Sequence, residues 1–174
     1  MTSAVGAMLS AHGHRSACFI AHSYGTVVLS WILRGQRDIV AKAVFLDPVC
    51  FLLCQPDVAY KVLYRRPPNL FMTAAANLCF WELFTANALM HHFYWQHNTL
   101  WKDEIPAGSV VAIAGRDDVS DPKAVRQYLE DHQRHGASGA RDPEAQLKIV
   151  WLDGFLHAQV LVSRAAQLQI LDLI

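Results

Sequence analysis

No sign of charge dominates this 174-residue chain: 15 Lys and Arg balance 15 Asp and Glu, and the formal net charge is zero. No basic run occurs, so the electrostatic footprint of a nucleic-acid binder is missing. Charged residues are scarce altogether, at 17%, while hydrophobic residues reach 53%. That balance excludes a disordered chain and leaves more apolar surface than one core needs. An apolar stretch of the about 20 residues that a membrane-spanning helix requires is also lacking. The charge-free run 67–81 is too short and opens on two prolines. Residues 1–13 lack the basic start and long apolar segment of a signal peptide. Four cysteines occur, Cys18, Cys50, Cys54 and Cys79. Cys50 and Cys54 lie in an apolar run with no second pair to complete a zinc site, and read as buried free thiols. A reducing intracellular compartment, the cytoplasm, fits that usage.

What is present is a regular alternation of element types. Four short apolar runs, 16–21, 41–46, 109–114 and 147–152, have the length and composition of buried strands. Helical patterns lie at 3–11, 25–34, 55–65, 121–135 and 160–174. Gly35 follows the second of these, and Asp121-Pro122 supplies a cap and first-turn proline for the fourth. A polar loop is expected at 134–143. Strands apolar on both faces and separated by helices predict an α/β chain with a four-stranded parallel sheet covered on both sides. The stretch between the second and third strands is too long for one crossover helix. It predicts a helical insertion at 51–102, mostly helical from 69 to 101, interrupting a core formed by 1–50 and 103–174.

The chemistry centres on Ser23. A serine hydroxyl is a weak nucleophile until a base takes its proton. The segment Ala21-His22-Ser23-Tyr24-Gly25 falls between the first strand and the helix that follows. A sharp turn there needs small residues, and Ala21 and Gly25 fill those places on either side of Ser23. An acid and a histidine are expected next, in that order. The third strand runs into Gly115-Arg116-Asp117-Asp118, and the fourth is followed by Asp153-Gly154-Phe155-Leu156-His157. Both lie past the carboxyl ends of their strands, where open α/β sheets hold ligands.

With these residues in view, the chain resembles the α/β-hydrolase superfamily, as a serine hydrolase of the AB hydrolase-1 type. Residues 19–28, Phe-Ile-Ala-His-Ser-Tyr-Gly-Thr-Val-Val, look like its nucleophile elbow. Residues 110–118 resemble its acid-bearing strand and loop, and Phe155-Leu156-His157-Ala158-Gln159 its histidine loop. The runs 44–53, 57–60 and 92–101 resemble a group of eukaryotic hydrolase-like proteins. The resemblance implies Ser23 as nucleophile, His157 as general base and acid, and Asp118, fourth from the glycine, as the acid. It implies the backbone N–H of Tyr24 as an oxyanion donor, and neither cofactor nor metal. Asp117 and Asp47 stand as alternative acids: Asp117 adjoins Asp118, and Asp47 also follows a strand. Serine at this position argues against the epoxide and haloalkane branches, which use aspartate there.

Other features keep two readings. His22 is expected to be a structural or pocket residue turned away from Ser23. His91, His92 and His97 lack Cys, Asp or Glu at ligand spacing and read as surface or lid residues. The aromatic stripe of Phe80, Trp81, Phe84, Phe93, Tyr94, Trp95 and Trp101 reads as packing of the inserted helices, or as a lid over an apolar acyl pocket that also touches a membrane surface. In the resembled fold four strands precede the nucleophile strand, so the expectation is the C-terminal part of that fold, with those strands and the loop giving the second oxyanion donor missing. The first strand would then be an open edge available for self-association. Two functions follow: a hydrolase of a carboxylic ester or related acyl bond in a small apolar substrate, or a weakly active or inactive module that binds a partner.

Overall fold

The computed structural model describes residues 2–65, 70, 73, 81–136 and 146–174. Strands β1 (Ala17–His22), β2 (Val40–Leu46), β3 (Val110–Ala114) and β4 (Lys148–Leu152) form one parallel sheet in chain order. Each falls within a residue or two of its expected place. Register aligns the carboxyl ends: His22 is opposite Leu46, Leu46 opposite Ala112, and Ala114 opposite Leu152. Every loop that leaves the sheet at this end therefore starts from one line.

Side chains alternate across a strand, so the sheet carries two cores. On one face Phe45, Val111 and Ile113 pack with Val27, Leu29 and Leu33 of α2 (Gly25–Gly35) and with Val125 and Leu129 of the 15-residue helix Pro122–Gly136. Phe45 is fully buried, its ring 5.7 Å from that of Phe51. On the other face Val44, Leu46, Val110, Ala112, Val150 and Leu152 pack with Val160, Ala166 and Ile170. That second cluster stops short of β1: Ile20 is 55% exposed and Cys18 is exposed as well. Among the described residues β1 pairs with β2 alone.

The remaining helices are α1 (Thr2–Ala11), α3 (Asp57–Leu63), α4 (Leu83–His91), α5 (Trp95–Asn98), α6 (Pro122–Gly136) and α7 (Arg164–Leu171). Asp121 caps α6 as its sequence suggests, Oδ1 accepting from Lys123 N and Ala124 N. The closing helix is shorter than its apolar pattern. A 3-10 turn at Gln159–Leu161 comes first, and Ser163 then caps α7 by accepting from Ala166 N. Between β2 and β3 the described helices are α3, α4 and α5, and much of the expected 69–101 helical stretch lies outside the described residues, as does the loop beyond Gly136. Neither α3 nor α4 buries a residue, although α4 is apolar along most of its length. The stretch before β3 is tied to α2: Trp31 Nε1 donates to Asn98 Oδ1 at 2.9 Å, and Arg34 donates two 2.8 Å bonds to the Glu104 carboxylate. Among the described residues no helix is long and apolar enough to cross a membrane. Cys50 is buried, but Cys54 is exposed rather than buried, because it lies beyond β2 on the wall of an open cavity.

Candidate active site

Ser23 occupies a turn that its sequence makes tight. β1 ends at His22 and α2 starts at Gly25, so two residues reverse the chain. Ser23 adopts φ +50°, left-handed for an L-residue and costly outside a turn that enforces it. Three bonds hold it there, one of them from Thr26 N to Ser23 O at 2.9 Å. Ser23 N donates to Leu46 O at 3.0 Å, and Thr26 Oγ1 donates to Ser23 O at 2.6 Å. A Cβ placed on Gly25 would lie 4.0 Å from the Ala21 Cβ, so the two small positions face each other across the turn.

The loops after β3 and β4 are bonded side by side. Gly115 N donates to Leu152 O and Arg116 N to Phe155 O, both at 2.8 Å. A Cβ at Gly115 would meet the Trp151 ring at 3.0 Å and Leu152 O at 3.2 Å, so this close approach requires glycine. These contacts bring His157 over Ser23. His157 Nε2 lies 2.8 Å from Ser23 Oγ, and Nδ1 lies 2.8 Å from Asp117 Oδ2. A carboxylate only accepts, so Nδ1–H donates to Asp117; the neutral ring then presents Nε2 as acceptor to the serine hydroxyl.

The carboxylate at the histidine is Asp117, where counting from the glycine points to Asp118. Asp117 N donates to Ala114 O at 3.1 Å, closing a tight turn that folds Asp117 back over the sheet edge. Its Oδ1 accepts from Val119 N and Ser120 N, which leaves Oδ2 for the histidine. Asp118 is one residue further round this turn. Its side chain is 41% exposed and sits 3.8 Å from Arg65, whereas that of Asp117 is 1% exposed. Burial pushes the Asp117 carboxyl up, but the hydrogen bond and charge of His157 and the two amides outweigh it, and the net direction is down. Burial pushes His157 down, and the Asp117 bond and charge, with smaller contributions from Asp47 and Asp118, carry it above its ordinary value.

Asp47 does not reach the imidazole as an acid. Fully buried, it takes φ +44° at the end of β2. Oδ1 accepts from Ala114 N at 3.0 Å and Oδ2 from Ala158 N at 2.9 Å. It thus ties the end of β3 to the residue after His157, itself at φ +65°. Asp47→Ala leaves both amides unmatched at about 1–3 kcal/mol each, so a loss of about 2–6 kcal/mol in urea unfolding is expected. A loss below about 1 kcal/mol would show that the loop does not depend on this carboxylate.

The His22 ring centroid is 5.2 Å from that of His157, and its Nε2 is 3.6 Å from Asp47 Oδ2. Tyr24 is the cap residue of α2, whose first amides have no carbonyl four residues back. His91 and His92 close α4 and His97 lies in α5; among the described residues no group of three or more His, Cys, Asp or Glu could hold a metal.

A cavity of about 790 Å³ opens at Ser23 and Tyr24. Its walls come from α3, α4 and the segment after β2, with Val58, Val62, Leu89 and Phe93 prominent. Lys61 Nζ donates to Ser120 O at 2.8 Å and Arg65 Nη1 to Asp118 O at 3.2 Å, which fastens α3 over the acid loop.

Comparison with known proteins supplies the fold. No family model and no curated protein matches this sequence. Solved structures do match. An α/β-hydrolase enzyme from the metagenome of lagoon sediments at Mar Chica, Morocco, is 15% identical, with TM-score 0.56 over 98% of this chain and 66% of that one. A serine hydrolase from the polyaromatic-hydrocarbon-degrading bacterium Cycloclasticus zankles is 18% identical, with TM-score 0.55 over 95% and 65%. The monoacylglycerol lipase of Paleococcus ferrophilus is 14% identical, with TM-score 0.53 over 99% and 73%. The chain carries a partial α/β-hydrolase fold. It spans about two thirds of the length of the first two of these structures.

Proposed function

We propose that this protein is a serine hydrolase acting on a carboxylic ester or related acyl bond of an apolar substrate. The observation that carries the reading is the unbroken line Ser23 Oγ–His157 Nε2 and His157 Nδ1–Asp117 Oδ2, with both links at 2.8 Å. In this reading Ser23 sits on a nucleophile elbow and attacks the acyl carbon as His157 takes its proton. Asp117 holds the tautomer and stabilises the imidazolium. The Tyr24 N–H, directly after the nucleophile, donates to the oxyanion. α3 and α4 act as a lid, and the exposed Leu83 and Phe84 on α4 suit contact with a lipid surface. The structural neighbours include esterases and lipases, which is consistent with this chemistry.

A fluorophosphonate probe tests the reading, since it phosphonylates only an activated serine. The wild-type protein is expected to label and Ser23→Ala is not. An unlabelled wild type sinks the enzyme, and a labelled Ser23→Ala sinks the nucleophile. The one-sided pairing of β1 favours a second reading, in which this edge joins the same strand of another copy. A dimer in size-exclusion chromatography that dissociates on Ile20→Lys is its expected signature, and a wild-type monomer counts against it.

A further inference from the structure

Polar contacts rather than a core hold α3 (Asp57–Leu63) in place, since none of its residues is buried. Among the described residues, the hydrogen bonds that tie it and the chain just after it to the rest of the fold go to the loop that follows β3. Lys61 Nζ donates to Ser120 O at 2.8 Å, and Arg65 Nη1 donates to Asp118 O at 3.2 Å. The same Nη1 lies 3.8 Å from Asp118 Oδ2. Asp118, which does not bond His157, therefore presents two acceptors to one guanidinium.

The two cations meet different peptide groups. Asp118 O and Val119 N belong to one planar peptide unit, with the oxygen and the hydrogen on opposite sides. Val119 N donates to Asp117 Oδ1 at 2.7 Å, and the other oxygen of that carboxylate, Oδ2, is 2.8 Å from His157 Nδ1. This peptide is thus an acceptor toward Arg65 and a donor toward Asp117. A cation bonded to a peptide oxygen polarises the unit and makes its N–H a stronger donor, and the bonds of such a chain strengthen one another. A polar chain runs from Arg65 through this peptide, Asp117 and His157 to Ser23 Oγ, 2.8 Å from His157 Nε2. Lys61 stands outside it. Its acceptor, Ser120 O, shares a peptide unit with Asp121 N, whereas the amides that Asp117 Oδ1 accepts from are those of Val119 and Ser120.

We propose that Arg65 is a positioning residue, which couples the seating of α3 over the cavity to the hydrogen bonding of Asp117 and, through Asp117, to that of His157. The proposal deepens the serine-hydrolase reading and rests on it for its kinetic test; its spectroscopic tests do not. With α3 seated, Arg65 tightens the bond from Val119 N to the carboxylate. Displacing α3 removes the cation from the peptide, so that the two amides alone hold Asp117 and the imidazole is less firmly oriented.

Arg65→Met and Lys61→Met separate this role from a simple loosening of α3. Each removes one bond between α3 and the loop, but only the first removes a bond to the peptide that donates to Asp117 through Val119 N. Arg65 is 45% exposed and Lys61 is partly exposed, so neither substitution disturbs the core. With p-nitrophenyl butanoate, KM is expected to change alike in the two variants, within about threefold. The kcat is expected to fall about tenfold in Arg65→Met, the effect of losing a charge-assisted hydrogen bond, and less than about twofold in Lys61→Met. Arg65→Lys is expected to lie between wild type and Arg65→Met, since an ammonium restores the charge without the planar fork. Equal kcat losses in the two Met variants, or a kcat in Arg65→Met within about twofold of wild type, overturn the proposal.

Two measurements need no turnover. Amide exchange followed by NMR is expected to quicken at Val119 by at least about fivefold in Arg65→Met and to stay unchanged in Lys61→Met. The low-field proton resonance of His157 Nδ1–H reports the bond to Asp117; it is expected to move upfield in Arg65→Met alone. Val119 exchange at the wild-type rate, or a resonance at the wild-type position, overturns the coupling even if the wild type labels with fluorophosphonate. Both changes in a protein that does not label would keep the coupling of Arg65 to Asp117 and reject the hydrolase.

Discussion

Turnover of a p-nitrophenyl ester is expected to fall on the order of 10⁶-fold in Ser23→Ala, equally far in His157→Ala, and no further in the double variant. The reason is the single path the proton can take. Ser23 Oγ is 2.8 Å from His157 Nε2, so the hydroxyl is a useful nucleophile only while that nitrogen is present to accept. Removing either partner removes the same step, and removing both removes it once. Steady-state kinetics on the three variants, with folding checked by circular dichroism, measures this. Additive losses would mean that Ser23 and His157 act independently. A His157→Ala variant within tenfold of wild type would reject His157 as the base.

The second large effect separates two adjacent aspartates. Asp117→Asn is expected to lower kcat about 10⁴-fold, because an amide can donate to Nδ1 and hold the ring in the wrong tautomer. Asp118→Asn is expected to stay within about fivefold, since its carboxylate is solvent-exposed beside Arg65. The pH profile carries the same distinction. The base must be neutral, and His157 is held above its ordinary value, so the acid limb of kcat/KM lies above about pH 6.5. Asp117→Asn removes the principal opposing charge and moves that limb to lower pH. Asp118→Asn moves it in the same direction by less. The reverse order of effects would restore Asp118 as the acid. Stability has the matching sign. The folded Asp117 carboxyl is depressed, so its contribution is present above the unfolded value near pH 4 and is lost as pH falls through the folded one. For His157, raised on folding, the contribution is present below about pH 6.5 and is lost as pH rises through its folded value.

Much of this site was legible one dimension at a time. Strand 17–22 has the apolar run of a buried strand, α2 has helical spacing, and only a tight turn joins them, so Ser23 stands out from its neighbours alone. His157 follows the last strand for a similar reason. The acid was less legible, because motif counting measures distance along the chain. The Asp117 N–Ala114 O bond folds that chain back one residue earlier than the count implies. Asp47 looks in sequence like any acid after a strand, and its bonds to Ala114 and Ala158 join segments 67 and 111 residues away. Nothing local to residue 47 encodes those partners.

The sequence by itself determined the parallel α/β architecture, the turn that carries Ser23, and the order in which acid and histidine follow it. These depend on apolar periodicity, on small residues at a turn and on chain order, all properties of neighbouring residues. Only the tertiary structure decided that Asp117 rather than Asp118 meets His157, that Asp47 holds the histidine loop, that His22 packs beside the imidazole, and that an apolar cavity opens at Ser23. Each of these is a distance of a few ångströms between separate loops. Such distances are fixed by strand register and by backbone hydrogen bonds between loops, which residue identity along one segment does not specify.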